Sequence, residues 1–229
     1  MSNNPVIILM ARWPGACRCK KRLAITIGVE KAAHIQKNLT SHTLKVVSSI
    51  QKKGFADIHL AIAGISPKAC KKLEKSQKTY SVIAQGKGSL GVRLKKQLLR
   101  AQKLRTHSQR INPRNTIIIG TDLPTLCEND LLEASFALMK NDLVIGPSKD
   151  GGYWLIGFSS ELIKDLPHWP FCGISWGRND VLQTTLKRAQ EKNINFHLLR
   201  EQNDIDHIKD LDPWLRKIHS QNLVSYAPL

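Results

Sequence analysis

The sequence predicts an α/β fold: one Rossmann-like, three-layer α/β/α domain spanning residues 1–229 around a mainly parallel mixed sheet. Three observations carry this. Short apolar, β-branched runs alternate with stretches of helical periodicity over the first 145 residues, a pattern that puts helices on both faces of a parallel sheet. Two segments, Ile117-Ile118-Ile119-Gly120-Thr121-Asp122-Leu123-Pro124 and Gly146-Pro147-Ser148-Lys149-Asp150-Gly151-Gly152-Tyr153-Trp154, break abruptly from apolar runs into Gly, Pro and a single aspartate. Each therefore sets one carboxylate just beyond the carboxyl end of a buried strand, where open α/β sheets build their ligand sites. With 229 residues, 41% of them hydrophobic, the chain is long enough to bury the core of one such domain.

The elements follow in order. Val6 to Ala11 reads as a short buried strand, and Val29 to Lys53 as a long helix with Ala32, Ala33, Leu39, Val46, Val47 and Ile50 toward the core. Ile58 to Ala63 is the next strand, ended by Gly64. Ser66-Pro67 is a cap followed by a first-turn proline, so residues 68 to 76 form a basic helix. Tyr80 to Gln85 is a third strand, Leu90 to Leu104 a helix and Thr116 to Gly120 a fourth strand, with His107 to Asn115 as a surface excursion. From Cys127 to Asn141, Leu131, Leu132, Phe136, Ala137 and Met139 recur at near-helical spacing, so this unit reads strand, helix, strand and brings Asp122 and Asp150 to one sheet edge. The strand Leu143 to Gly146, an extended Trp154 to Phe158, a helix over Asn179 to Glu191, a strand Phe196 to Leu199 and a helix from Ile208 to Ile218 complete the chain.

Charge divides the molecule. Of the net +17, residues 1 to 115 hold 24 Lys and Arg against 3 Asp and Glu, whereas the remainder holds 11 against 15. A basic half that cradles phosphates, joined to an acidic half that supplies carboxylates for a cation, would have this asymmetry. The cluster Lys68 to Lys78 reads as the solvated side of a helix, and the functional reading is kept for Arg12 to Arg22. Only 6% of residues are aromatic and no nucleic-acid motif accompanies the charge, which argues against a nucleic-acid partner. No apolar run approaches the roughly 20 residues of a membrane span. Val6 to Ala11 lacks a cleavage-site pattern, so a soluble, cytoplasmic protein is expected. Five cysteines without a C-x-x-C pair speak against a disulfide framework or a zinc ribbon, and Cys17 and Cys19 read as reduced loop residues.

Gly86-Lys87-Gly88-Ser89-Leu90-Gly91 matches G-x-G-x-x-G and follows a strand, but a dinucleotide fingerprint also needs an acidic residue about 20 positions on. None occurs between Glu74 and Asp122, and the motif sits on the third strand, so nicotinamide binding is set aside. No P-loop pattern occurs either. After the first strand, Arg12, Arg18, Lys20, Lys21 and Arg22 put five cations beside the sheet edge, where guanidinium forks and ammonium charges could hold a diphosphate. Asp122 and the later Asp204 and Asp206 offer hard oxygen ligands for Mg²⁺ or Mn²⁺. The competing readings are a turn residue for Asp122 and a helix cap for Asp204, Asp206 or Asp210. Asp150 stands on a Gly-Gly turn beside apolar Tyr153-Trp154-Leu155-Ile156, which suggests a turn against a pocket.

In combination these motifs resemble the GT-A fold nucleotide-diphospho-sugar transferase superfamily and, within it, the glycosyltransferase-like family DUF2064, related to the guanylyltransferases of coenzyme F420 and molybdenum-cofactor synthesis. The family pattern K-x-P-x-P-G-x-x-K-T-R-L is matched by Arg12, Pro14, Lys20, Arg22 and Leu23, with Ala16-Cys17 in place of Pro-Gly and Lys21 in place of Thr. Q-x-x-G-D-L-G-x-R is matched by Gln85, Gly88, Leu90, Gly91 and Arg93, with Ser89 for Asp. G-T-D-x-P-x-L is met by Gly120 to Leu126 and G-P-x-x-D-G-G-Y by Gly146 to Tyr153. Trp176-Gly177-Arg178 and Asp204 to Leu211 follow two later patterns, each losing a Thr.

The resemblance implies a metal-dependent transferase acting on a nucleotide sugar and a small-molecule acceptor. It implies that Asp122 and Asp206 hold a divalent cation, Mg²⁺ or Mn²⁺, on the diphosphate, and that Asp150 is catalytic. Arg12, Lys20, Arg22, Gly88 and Arg93 would bind the nucleotide and its phosphates, and Gly151, Gly152, Tyr153 and Trp176 would line the substrate pocket. Two alternatives stand beside it: a guanylyltransferase-like nucleotidylyltransferase acting on a phosphorylated acceptor, and a non-catalytic nucleotide or RNA binder. The glycine-rich G-G-x-S-x-R-M-G loop of the superfamily's nucleotidylyltransferases is absent here.

Overall fold

The computed structural model describes residues 4–77, 79–103, 113–165 and 169–211. β-branched runs buried on both sides form its centre. In β1 (Val6–Arg12), Ile7, Leu9 and Ala11 face one hydrophobic layer while Val6 and Ile8 face the other. Around it run α1 (Lys21–Ile27), α2 (Val29–Lys52), β2 (Asp57–Ala63), α3 (Pro67–Gln77), β3 (Ser81–Ala84), α4 (Leu90–Lys103), β4 (Thr116–Gly120) and α5 (Glu128–Ala137). Then come β5 (Leu143–Pro147), β6 (Tyr153–Phe158), α6 (Ser160–Asp165), α7 (Val181–Glu191), β7 (Phe196–Leu198) and a 3₁₀ turn, Ile208–Asp210. The sheet order is β3-β2-β1-β4-β6-β5-β7. Only β6 runs antiparallel to its neighbours, so the expected mainly parallel mixed sheet with helices on both faces is what forms.

The reversal at β6 has a local cause. Ser148 to Gly152 is a tight turn, closed by Ser148 N–H to the Gly152 carbonyl at 3.1 Å, so the chain returns beside β5 and inserts between β5 and β4. β4 and β5 are therefore parallel but not adjacent, and their carboxyl ends still point to one edge. One face is packed by α2, α3 and α5 through Val47, Ile50, Cys70, Leu131 and Ala134; the other by α4, α6 and α7 through Leu94, Leu98, Leu162, Ile163 and Ala189. The Ser66 hydroxyl accepts the Ala69 N–H at 3.2 Å, as its capping position anticipates.

Some expectations are corrected. The basic segment after β1 is not all loop: residues from Lys21 form α1, parted from α2 by Gly28 at φ +86°. α6 is an element the periodicity did not indicate, being a single short turn sequence of six residues. In α5 the inward stripe is Leu131, Ala134 and Leu138, leaving Phe136 and Met139 on the opposite side, 64% and 74% exposed. The region Ile208 to Ile218 begins with a 3₁₀ turn, and its residues from 212 onward, like 107–112 of the expected excursion, lie outside the described residues.

Candidate active site

The carboxyl ends of β1, β4 and β5 share one edge, and a cleft of about 640 Å³ opens over it. Its cationic lining is Arg12, Lys20, Lys21, Arg22, Arg93 and Arg178, and its anionic lining is Asp122, Asp150, Asp204 and Asp206.

Lys20 is the hub. Its backbone sits at φ 45°, ψ 47°, a left-handed conformation uncommon for a residue with a Cβ, immediately before α1. The side chain is only 2% exposed; its ammonium lies 3.0 Å from Asp122 Oδ1 and 3.9 Å from Asp206 Oδ1, and donates to the Ile205 carbonyl. Asp122 Oδ1 also accepts from Gln36 Nε2 at 3.0 Å, and Arg22 reaches Asp206 Oδ2 at 2.9 Å. Cys17 is left-handed as well, at φ 61°. A glycine would adopt that conformation freely, so Cys17 holds this loop with local strain of order 1 kcal/mol.

Asp204 and Asp206 reach Asp122 because the chain beyond β7 crosses the sheet edge. Gln202 pairs with Ser148, donating from its N–H to the Pro147 carbonyl at 3.0 Å and accepting from Lys149 at 3.2 Å. Three residues on, Ile205 N–H donates to the Asp122 carbonyl at 3.1 Å. The Ile205 side chain is buried with Leu23, Leu39 and Leu211, which anchors the segment between the two carboxylates. Ser148 Oγ donates to Asp204 Oδ1 at 3.3 Å. Burial, then the nearby charge of Asp150, pushes the Asp204 carboxyl above its ordinary range, against the opposing pull of Lys20.

Asp150 is exposed at the tip of its turn, where Oδ1 accepts the Gly152 N–H at 3.0 Å. Gly151, at φ +86°, sits so close to the Asn179 backbone that a Cβ would lie 1.9 Å from its carbonyl oxygen. Its N–H and carbonyl bond Ser148 and Leu182, so it ties the turn to α7. Tyr153 and Trp176 meet edge to face, with centroids 6.1 Å apart, as one wall of the cleft, and burial raises the Tyr153 phenol. The Gln85 side-chain amide donates to the carbonyls of Ala11 and Ala61, both at 2.9 Å, and accepts from Arg93 at 2.7 Å. Burial, reinforced by Arg12, lowers the Arg93 guanidinium, whose Nε is buried without an acceptor among the described residues.

The structure thus gathers Arg12, Lys20, Arg22, Arg93, Asp122, Asp150, Gly152, Tyr153, Trp176 and Asp206 around one cleft. Two expected residues fall outside its lining. Gly88, at φ +117°, packs against Val92, where a Cβ would meet Cγ1 at 2.8 Å, and Gly151 serves α7 packing instead of the pocket. Sequence reasoning misses Gln36, and it finds Gln85 only as a motif residue without a role. Gln36 carried a usable signal, a polar residue on the inward stripe of α2 between Ala33 and Leu39. The G-x-G-x-x-G segment opens α4 from edge strand β3, and the space a Gly91 side chain would take is filled by the Phe171 carbonyl and the Trp176 indole.

Among the described residues no helix is long and apolar enough to cross a membrane. The seven-stranded mixed sheet, with cations and carboxylates in one cleft at its carboxyl edge, is a fold that solved structures share. The chain belongs to the family described as uncharacterized protein conserved in bacteria (DUF2064), whose model matches residues 46–178, more than half of its length. A structure from Desulfovibrio desulfuricans G20, provisionally assigned as a nucleotide-diphospho-sugar transferase, shares the fold with a TM-score of 0.78 at 24% identity over 96% of each chain. The inositol-1-phosphate CTP transferase of T. maritima shares it at 0.57 and 14%, over 99% of each chain. The 4-diphosphocytidyl-2C-methyl-D-erythritol synthase of Anaerococcus prevotii DSM 20548 does so at 0.59 and 13%, over 95% of this chain and 100% of that one. No curated protein matches the sequence.

Proposed function

We propose that the chain is a transferase that moves a sugar from a nucleoside diphosphate-sugar to a small-molecule acceptor. One observation carries the reading: a cation cluster and a carboxylate pair meet at one sheet edge, with a separate exposed carboxylate, Asp150, in the same cleft. Lys20, Arg22 and Arg12 steady the diphosphate. Asp150 takes the acceptor hydroxyl proton as that oxygen bonds the sugar carbon and the bond to the diphosphate breaks.

Among the described residues no group of three or more His, Cys, Asp or Glu is arranged to hold a metal. Asp122 and Asp206 nonetheless fit Mg²⁺ or Mn²⁺, which binds through one or two carboxylates and completes its shell with substrate phosphates and water. When bound, the ion would neutralise charge on the departing diphosphate.

The fold shared with two cytidylyl-transferring enzymes supports a second reading, nucleotidyl transfer to a phosphorylated acceptor. A thermal-shift panel of nucleotide sugars, their free diphosphates and nucleoside triphosphates, with and without Mn²⁺, separates the two. A ligand at 100 times its Kd adds about 2.7 kcal/mol, roughly 5 to 10 °C for a chain of this size. A shift with one diphosphate-sugar and its diphosphate supports sugar transfer. Preference for a triphosphate supports the second reading, and no shift with any nucleotide rejects both.

A further inference from the structure

The carboxylates assigned to a cation already hold one. The Lys20 ammonium is buried, bonds Asp122 at 3.0 Å and the Ile205 carbonyl, and lies 3.9 Å from Asp206 in a longer ion pair. Arg22 pairs with the outer oxygen of Asp206. Two positive charges therefore balance two negative ones before any ligand enters. Across the whole cleft, six cationic side chains face four carboxylates. A bare dication would have to expel a buried, paired ammonium and add to a positive excess, whereas a dication carrying phosphates brings compensating negative charge.

We propose that Lys20 is a built-in counter-cation that closes the Asp122–Asp206 pair to free divalent metal and opens it only when a phosphate-bearing ligand arrives to accept the ammonium. The proposal rests on the transferase reading for the identity of that ligand. Metal and nucleotide then bind with strong positive coupling, and the left-handed backbone at Lys20, which aims the ammonium inward, belongs to the same device.

The test is the uptake of Mn²⁺ by the full chain, followed by loss of the free-ion paramagnetic resonance signal. Lys20→Met keeps the side-chain length and removes the charge. The wild type is expected to take up Mn²⁺ alone at least tenfold more weakly than Lys20→Met, and Lys20→Arg, which keeps a cation, should stay as closed as the wild type. Equal or weaker uptake by Lys20→Met overturns the proposal. Should that variant fail to fold by circular dichroism, the wild type decides: tight uptake of Mn²⁺ without nucleotide overturns it, and weak uptake that strengthens at least tenfold with saturating nucleoside diphosphate, measured against a protein-free control, supports it. Failure of the transferase reading is a different result, in which no nucleoside diphosphate binds while the Lys20→Met difference for metal alone remains.

Discussion

Gly91→Ala sets two opposing effects against each other. Gly91 lies in the first turn of α4 and its backbone φ is not positive, so by helix propensity alone alanine should stabilise the chain by up to about 1 kcal/mol. The structure reverses the sign. A Cβ built there lies 2.4 Å from the Phe171 carbonyl oxygen and 2.6 Å from the Trp176 indole nitrogen, both far inside contact distance. Neither is the free end of a flexible chain: one is backbone, and the other is a ring packed on Tyr153. Overpacking of this kind costs about 1 to 3 kcal/mol, so the net expectation is destabilisation by up to about 2 kcal/mol. For a chain of this size that lowers Tm by up to roughly 8 °C. Because relief requires the 171–176 segment to move outward, the aromatic wall moves with it, and nucleotide or acceptor affinity should fall as well. Urea unfolding with thermal scanning measures the first effect and ligand-induced shifts the second. Stabilisation by Gly91→Ala with unchanged ligand shifts would refute the packing argument.

Three further outcomes follow from the site. Asp150→Asn keeps the turn, so it should fold and bind the nucleotide as the wild type does while turnover falls by roughly 10²- to 10⁴-fold; lost nucleotide affinity in calorimetry would place Asp150 on the donor instead. Replacing Lys20 and Arg22 with Ala should weaken nucleotide diphosphate binding more than replacing the exposed α3 residues Lys71 and Lys72, and equal losses erased by modest salt would mean a diffuse field. Asp204 has a folded carboxyl pKa raised by burial, so its ionisation costs stability, a cost absent below the unfolded carboxyl pKa and growing as pH rises through the folded value. Asp204→Asn should therefore raise Tm at pH 7 and lose that advantage near pH 3, and a lower Tm at pH 7 would contradict the sign.

The parts of the fold legible in the sequence are those that local patterning determines. Ile117 to Ile119 could only be a doubly buried strand, Ser66-Pro67 could only open a helix cleanly, and Asp122 and Asp150 had to stand beyond strand ends because Gly and Pro stop each run beside them. What the sequence left undecided were relations between distant segments. The spacing of β4, α5 and β5 did not reveal that β6 would lie between the two strands; the tight turn at Ser148 to Gly152 makes it return there. Nor does periodicity say which side of α5 is inward, and Phe136 and Met139 lie outward because Leu131, Ala134 and Leu138 meet the sheet. The site depends most on tertiary structure. Asp206 stands 84 residues from Asp122 in the chain, and it reaches the Lys20 ammonium only because Gln202 pairs with Ser148 and buried Ile205 pins the crossing segment. Local sequence sets the conformation of each strand and turn, whereas the meeting of these charges is fixed by burial and backbone pairing between segments that no local pattern links.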